Sequence, residues 1–188
     1  MLEVLIPSTF AVVAAEIGDK TQLLALCLAA RFSRPIPIIL GILVATLVNH
    51  GLASWLGASL AAWLTPEILR WVLVVSFAAM AIWMLVPDKL DDDECASPIR
   101  RLGVFGTTFV LFFIAETGDK TQIATLALGA HYLDPFIVTA GTTLGMLIAD
   151  VPAIFVGNKL SEKLNPLLMR RIAAVVFALF AVLAYLRM

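Results

Sequence analysis

Two seven-residue stretches carry most of the chemistry available to this chain. Glu16-Ile17-Gly18-Asp19-Lys20-Thr21-Gln22 and Glu116-Thr117-Gly118-Asp119-Lys120-Thr121-Gln122 stand one hundred residues apart. Each offers two carboxylates, an ammonium, a hydroxyl and an amide. The metal donors among them are all oxygens: Glu16, Asp19, Thr21 and Gln22 in one copy, Glu116, Asp119, Thr121 and Gln122 in the other. Hard oxygen sets suit calcium, magnesium or manganese rather than copper or zinc, which favour thiolate and imidazole. Four carboxylates and the two ammonium groups of Lys20 and Lys120 sum to −2, the charge one divalent cation neutralises. The same carboxylates can take protons instead, and a site that holds either is the minimal device for exchange.

The elements that must position these groups are apolar. Of the 188 residues, 61% are hydrophobic and 14% charged, and mean hydropathy is +0.98. Soluble chains average roughly 45–50% apolar and about 25% charged. A domain this small leaves too much surface exposed to hide such an excess, which excludes a soluble enzyme. A net charge of −1 without a long basic run excludes a nucleic-acid binder, and the composition excludes disorder. The chain reads as an all-α membrane protein, not an enzyme, with the lipid bilayer and a small cation as partners.

Six apolar segments can be marked, at residues 4–30, 38–64, 68–86, 104–130, 136–156 and 167–186. About 20 helical residues cross the hydrocarbon, and backbone in lipid must satisfy itself as helix or closed barrel. These runs are continuous rather than alternating, so six transmembrane helices are expected. Pro35, Pro37, Pro66, Pro135 and Pro166 fall at segment ends, where a helix starts without losing a needed donor. Pro152, inside the fifth segment, predicts a kink or frayed turn. Met1-Leu2-Glu3 lacks the positive start of a signal peptide, so the first segment reads as a retained span. Cys27 in an apolar run and Cys95 in an acidic loop show no CxxC spacing and read as a packing residue and a free loop thiol.

A shift of one hundred aligns more than the two stretches. Between residues 15–30 and 115–130, 10 of 16 positions are identical. The same shift pairs Gly41 with Gly141, Gly57 with Gly157, Pro66 with Pro166, Arg70 with Arg170 and Phe77 with Phe177. The chain is therefore expected to be two three-helix repeats, 1–87 and 104–188, joined by a linker at 88–103. Three is odd, so the second repeat enters the membrane from the opposite side. Such inverted repeats characterise secondary transporters, whose site lies near the midplane between the repeats.

Both stretches fall near the centres of their segments, where each charge costs about 2.5–3.5 kcal/mol. On an unbroken helix Glu16, Asp19 and Gln22 share a stripe, and Glu16 can pair with Lys20. Gly18 and Gly118 permit either close helix approach or local unwinding. On the second and fifth segments, Asn49 and His50 correspond to Ala149 and Asp150, and these polar residues are candidates to line the pathway. Arg31, Arg34, Lys89, Arg100, Arg101, Lys159, Lys163, Arg170 and Arg171 gather on one side, against Arg70 and Arg187 on the other. The positive-inside rule then makes the 88–103 loop, with its Asp91–Glu94 run, cytoplasmic and puts both termini outside.

At Glu16–Gln22 and Glu116–Gln122 the chain resembles the membrane family defined by a duplicated E-x-G-D-K/R-S/T motif. That family includes the MneA-type bacterial manganese exporters and the Golgi manganese/calcium–proton exchangers, within the lysine-exporter superfamily. The resemblance implies export of Mn2+ or Ca2+ in exchange for protons, with no cofactor beyond the transported ion; in a bacterial inner membrane the charge bias above then makes the termini periplasmic. It makes Glu16, Asp19, Glu116 and Asp119 the cation-binding acids, Thr21 and Thr121 supporting ligands, and Lys20 and Lys120 the motif bases. Gln22 and Gln122 lie outside the family pattern and enter on helix geometry alone. Export of a basic amino acid and a non-transporting membrane scaffold are the competing readings.

Overall fold

The computed structural model describes residues 1–87, 102–156 and 166–187, and among these all regular structure is helical. Eight helices follow in order: α1 (Leu2–Glu16), α2 (Lys20–Phe32), α3 (Pro35–Ala61), α4 (Pro66–Trp83), α5 (Gly103–Glu116), α6 (Lys120–Tyr132), α7 (Pro135–Val156) and α8 (Pro166–Arg187). The acidic run at 91–94 lies outside the described residues. Among the described residues, four helices are long and apolar enough to cross a membrane, spanning Pro35–Ala61, Pro66–Trp83, Pro135–Phe155 and Leu167–Leu186.

The helix starts follow the prolines. Pro35, Pro66, Pro135 and Pro166 each open a helix, where the missing N–H costs nothing, and the Thr65 hydroxyl accepts from the Ile68 N–H at the start of α4. Ser33 and Leu133 end α2 and α6 in the left-handed region, with φ of 52° and 54°. Their N–H groups return to the Ala29 and Gly129 carbonyls. Pro152 does not end α7, which continues to Val156. Cys27 is disulfide-bonded, against its reading as a packing residue; Cys95 lies outside the described residues.

The first and fourth apolar segments are not single helices. Each is interrupted at its motif, splitting into α1 and α2 or α5 and α6. The physical reason is the glycine: Gly18 has φ +85° and Gly118 φ +80°, a conformation that L side chains adopt only at a cost and glycine adopts freely.

Packing exchanges the two halves of the chain. α3 lies against α5 and α6, whereas α7 lies against α1 and α2. At one glycine pair the contacts correspond under the hundred-residue shift. A Cβ on Gly41 would meet the Thr108 Cβ at 2.7 Å and the Phe105 carbonyl at 3.0 Å; one on Gly141 would meet the Ser8 Cβ at 3.0 Å and the Leu5 carbonyl at 2.8 Å. Small residues here let the backbones approach closely, the usual means of packing helices in lipid. α4 and α8 form the remaining pair. Phe77 anchors it, with ring centroids 6.4 Å from Phe177 and 5.3 Å from Phe180.

Candidate metal centre

Each interrupted helix is closed by the same small set of bonds. The Asp19 N–H donates to the Glu16 carbonyl at 3.0 Å, and the Asp119 N–H to the Glu116 carbonyl at 3.1 Å. The Gly18 N–H donates to Gln22 Oε1 at 3.0 Å and the Gly118 N–H to Gln122 Oε1 at 2.7 Å. The glutamine oxygens, expected on helix geometry to face a metal, are thus engaged in closing the turns. Gln22 also donates through Nε2 to the Ala149 carbonyl, 2.8 Å away, in the turn of α7 that precedes Pro152.

These turns place a glutamate at the C-terminus of one half-helix and an aspartate at the N-cap of the next. Glu16 and Glu116 have no exposed surface, and Asp19 and Asp119 are buried. Neither aspartate side chain caps its helix. The glutamates stand where the carbonyl ends of α1 and α5 favour a cation, an arrangement known from the broken helices of transporters.

The acids of the two copies converge. Glu16 interacts electrostatically with Glu116, Asp150, Asp19 and Asp119, and Asp150 with Glu116. Lys20 does not pair with Glu16 as an unbroken helix would have it. Its Nζ reaches across to Asp119 Oδ1 at 2.9 Å, because the turn at 17–19 takes Lys20 off the face that Glu16 occupies. Lys120 Nζ donates to the Val86 carbonyl at 2.7 Å.

The long helices complete the enclosure from the opposite half. On α3, Asn49 Nδ2 donates to Thr117 Oγ1 at 3.5 Å, and His50 Nε2 stands 3.6 Å from Glu116 Oε2. The same glutamate oxygen accepts from the Thr121 hydroxyl at 2.7 Å. Both carboxylate oxygens of Glu16 and both of Asp150 are buried without a hydrogen-bond partner among the described residues, as is Thr21 Oγ1. Leaving a buried charge bare costs several kcal/mol, and a bound cation answers that cost. In this state no three His, Cys, Asp or Glu side chains among the described residues stand close enough to enclose a metal ion. The acids are gathered without being closed into a cage.

One residue enters from outside the expected set. Arg170, noted above for its loop charge and its match to Arg70, bounds a cavity of about 10 Å3 together with Gly18, Asp19 and Lys120. Its repeat partner Arg70 instead lies over Trp71 and Tyr185, 5.7 and 5.9 Å from the ring centroids. The hundred-residue match of the two arginines was the available signal. A larger, mainly apolar cavity of about 610 Å3 lies away from the motifs, lined by residues including Pro7, Phe10 and Phe180.

Comparison with known proteins decides the family. The model for "Divalent cation/proton antiporter GDT1" matches residues 4–92 and 104–188. The chain belongs to the GDT1 family. It is 52% identical over 182 residues to a Vibrio cholerae protein named "Putative manganese exporter", covering 96% of this chain and 90% of that one. It is 30% identical to a GDT1-like protein of Synechocystis, sll0615, over 91% of each chain. Rice GDT1-like protein 3 is 27% identical, over 98% of this chain and 74% of its own. No solved structure matches. As a member of an antiporter family, the chain has a divalent cation and protons as its exchanged species.

Proposed function

We propose that this GDT1-family chain exports Mn2+, with Ca2+ as the secondary substrate, in exchange for protons across a bacterial inner membrane. The name of the Vibrio cholerae relative supports manganese. The observation that carries the reading is the convergence of acids from both motifs, Glu16 interacting with Glu116, Asp119 and Asp150 while its own oxygens lack a hydrogen-bond partner. In this reading Glu16, Asp19, Glu116 and Asp119 bind the ion, and Thr21 and Thr121 support it. Metal and protons compete for these carboxylates, and the site closes on an ion as the halves of the chain move.

The architecture proposed is two inverted three-helix repeats, 1–87 and 104–188, with 88–103 as a cytoplasmic linker and both termini periplasmic. The exchange of packing partners, with α3 against α5 and α6 and α7 against α1 and α2, supports it. So does the matching of Gly41 and Gly141 to equivalent neighbours. A basic amino acid is a poorer cargo. Its carboxylate needs a cationic receiver, and Lys20 and Lys120 are engaged on Asp119 and the Val86 carbonyl.

The test is reconstitution of the purified protein in proteoliposomes with a pH-sensitive dye inside. Addition of Mn2+ should drive proton movement that vanishes in Glu16→Gln and in Glu116→Gln. Proton movement driven by lysine but not by Mn2+, or Mn2+ exchange unaffected by either substitution, would overturn the reading.

A further inference from the structure

Positions 50 and 150 correspond in the two halves, yet one is histidine and the other aspartate. Both side chains have no exposed surface. Each comes from a long helix packed on the opposite half's interrupted pair; His50 Nε2 stands 3.6 Å from Glu116 Oε2, and Asp150 interacts electrostatically with the same glutamate. Neither His50 nitrogen makes a hydrogen bond among the described residues. A buried imidazole with neither nitrogen bonded is costly unless a ligand engages it. Asn49, one residue earlier, reaches Thr117 in the same turn, so the α3 segment is seated against the second motif.

We propose that His50 is a ligand to the transported ion, a nitrogen donor in an otherwise oxygen-lined site, and that it biases the exchanger toward Mn2+ over Ca2+. The inference rests on the functional reading above and deepens it. Mn2+ shares the preference of Ca2+ for oxygen but, as a first-row transition ion, also accepts a nitrogen donor, whereas Ca2+ takes oxygen ligands almost exclusively. One nitrogen beside Glu116 therefore strengthens the hold on Mn2+ and adds nothing for Ca2+. The repeat itself supplies the control substitution. Aspartate occupies the equivalent buried position 150, so His50→Asp gives both halves the same residue and an all-oxygen site.

The experiment uses the full-length protein in detergent with Mn2+ added, read by electron spin echo envelope modulation. Wild type should show the 14N modulation of a coordinated imidazole, and His50→Asn and His50→Asp should lack it while still binding Mn2+. In proteoliposomes, His50→Asp should lower the preference for Mn2+ over Ca2+ by about tenfold, the scale of one lost metal-site interaction. Bound Mn2+ without imidazole modulation in wild type, or an unchanged ion preference in His50→Asp, would overturn the role of His50 and leave the carboxylate site standing. Failure of wild type to bind or exchange Mn2+ would instead bring down both. The wild-type spectrum decides the matter even if a variant fails to fold.

Discussion

Lys20 of the first motif holds Asp119 of the second, Nζ to Oδ1, at 2.9 Å. The residues are ninety-nine apart in sequence, and each half-helix break is what lets them meet. The aspartate is nearly fully buried, while the lysine keeps about a fifth of its side-chain surface. A tethered ammonium therefore sits on a carboxylate that the proposed mechanism assigns to the ion. Incoming metal has to compete with it.

The bridge should appear as a coupling energy. A double-mutant cycle with Lys20→Ala and Asp119→Asn, followed by chemical unfolding in detergent, should give an interaction of about 0.5–3 kcal/mol. Additive losses would mean that the two charges are screened from each other.

Threonines at matching positions should behave differently. Thr121 donates to Glu116, whereas Thr21 Oγ1 is buried without a hydrogen-bond partner among the described residues. Measured without metal, Thr121→Val should cost about 1.5–3 kcal/mol of stability, the worth of a hydrogen bond to a charged group. Thr21→Val should cost close to nothing. Equal losses would contradict the asymmetry.

The helix breaks depend on backbone conformation alone at Gly118. An added Cβ there would meet no atom within 4 Å, yet φ is +80°. Gly118→Ala should therefore lower stability by about 1–2 kcal/mol, and Gly118→Asn, which tolerates the left-handed region better, should lose less. Thermal melts of the two variants check the order.

Glycines in the long helices divide by their neighbours. At Gly41 and Gly141 a methyl group would fall within 3.0 Å of the facing helix, so alanine at either should destabilise by about 1–3 kcal/mol. At Gly51 the nearest atom is Thr139 Cγ2 at 3.8 Å. Gly51→Ala should instead stabilise, by up to about 1 kcal/mol of helix propensity. Melting temperatures that fall for all three would show that α3 is tighter than described.

Much of the fold could be read before the coordinates. Prolines announced the starts of α3, α4, α7 and α8, because a missing N–H is harmless only there. The hundred-residue shift marked equivalent positions, and the contacts of Gly41 and Gly141 repeat under it. The breaks at Gly18 and Gly118 were harder to see. Apolar residues run continuously on both sides, and hydropathy does not register a turn of three residues. Their signal was local: a glycine followed four residues later by a glutamine able to accept its N–H. Partners across the halves were illegible, since helical periodicity speaks only of neighbours on one helix. That is why Lys20 was expected beside Glu16, and why Arg170 was counted as loop charge rather than placed beside Asp19 and Lys120.

The reciprocal grip of α3 and α7 has a mechanical corollary. Under the proposed exchange, a tilt of α3 would shift the turn at 117–119, and a tilt of α7 the turn at 17–19. In that reading the two halves would mesh like cogs, with the carboxylates at the teeth, and opening a path on one face and shutting it on the other would be a single stroke.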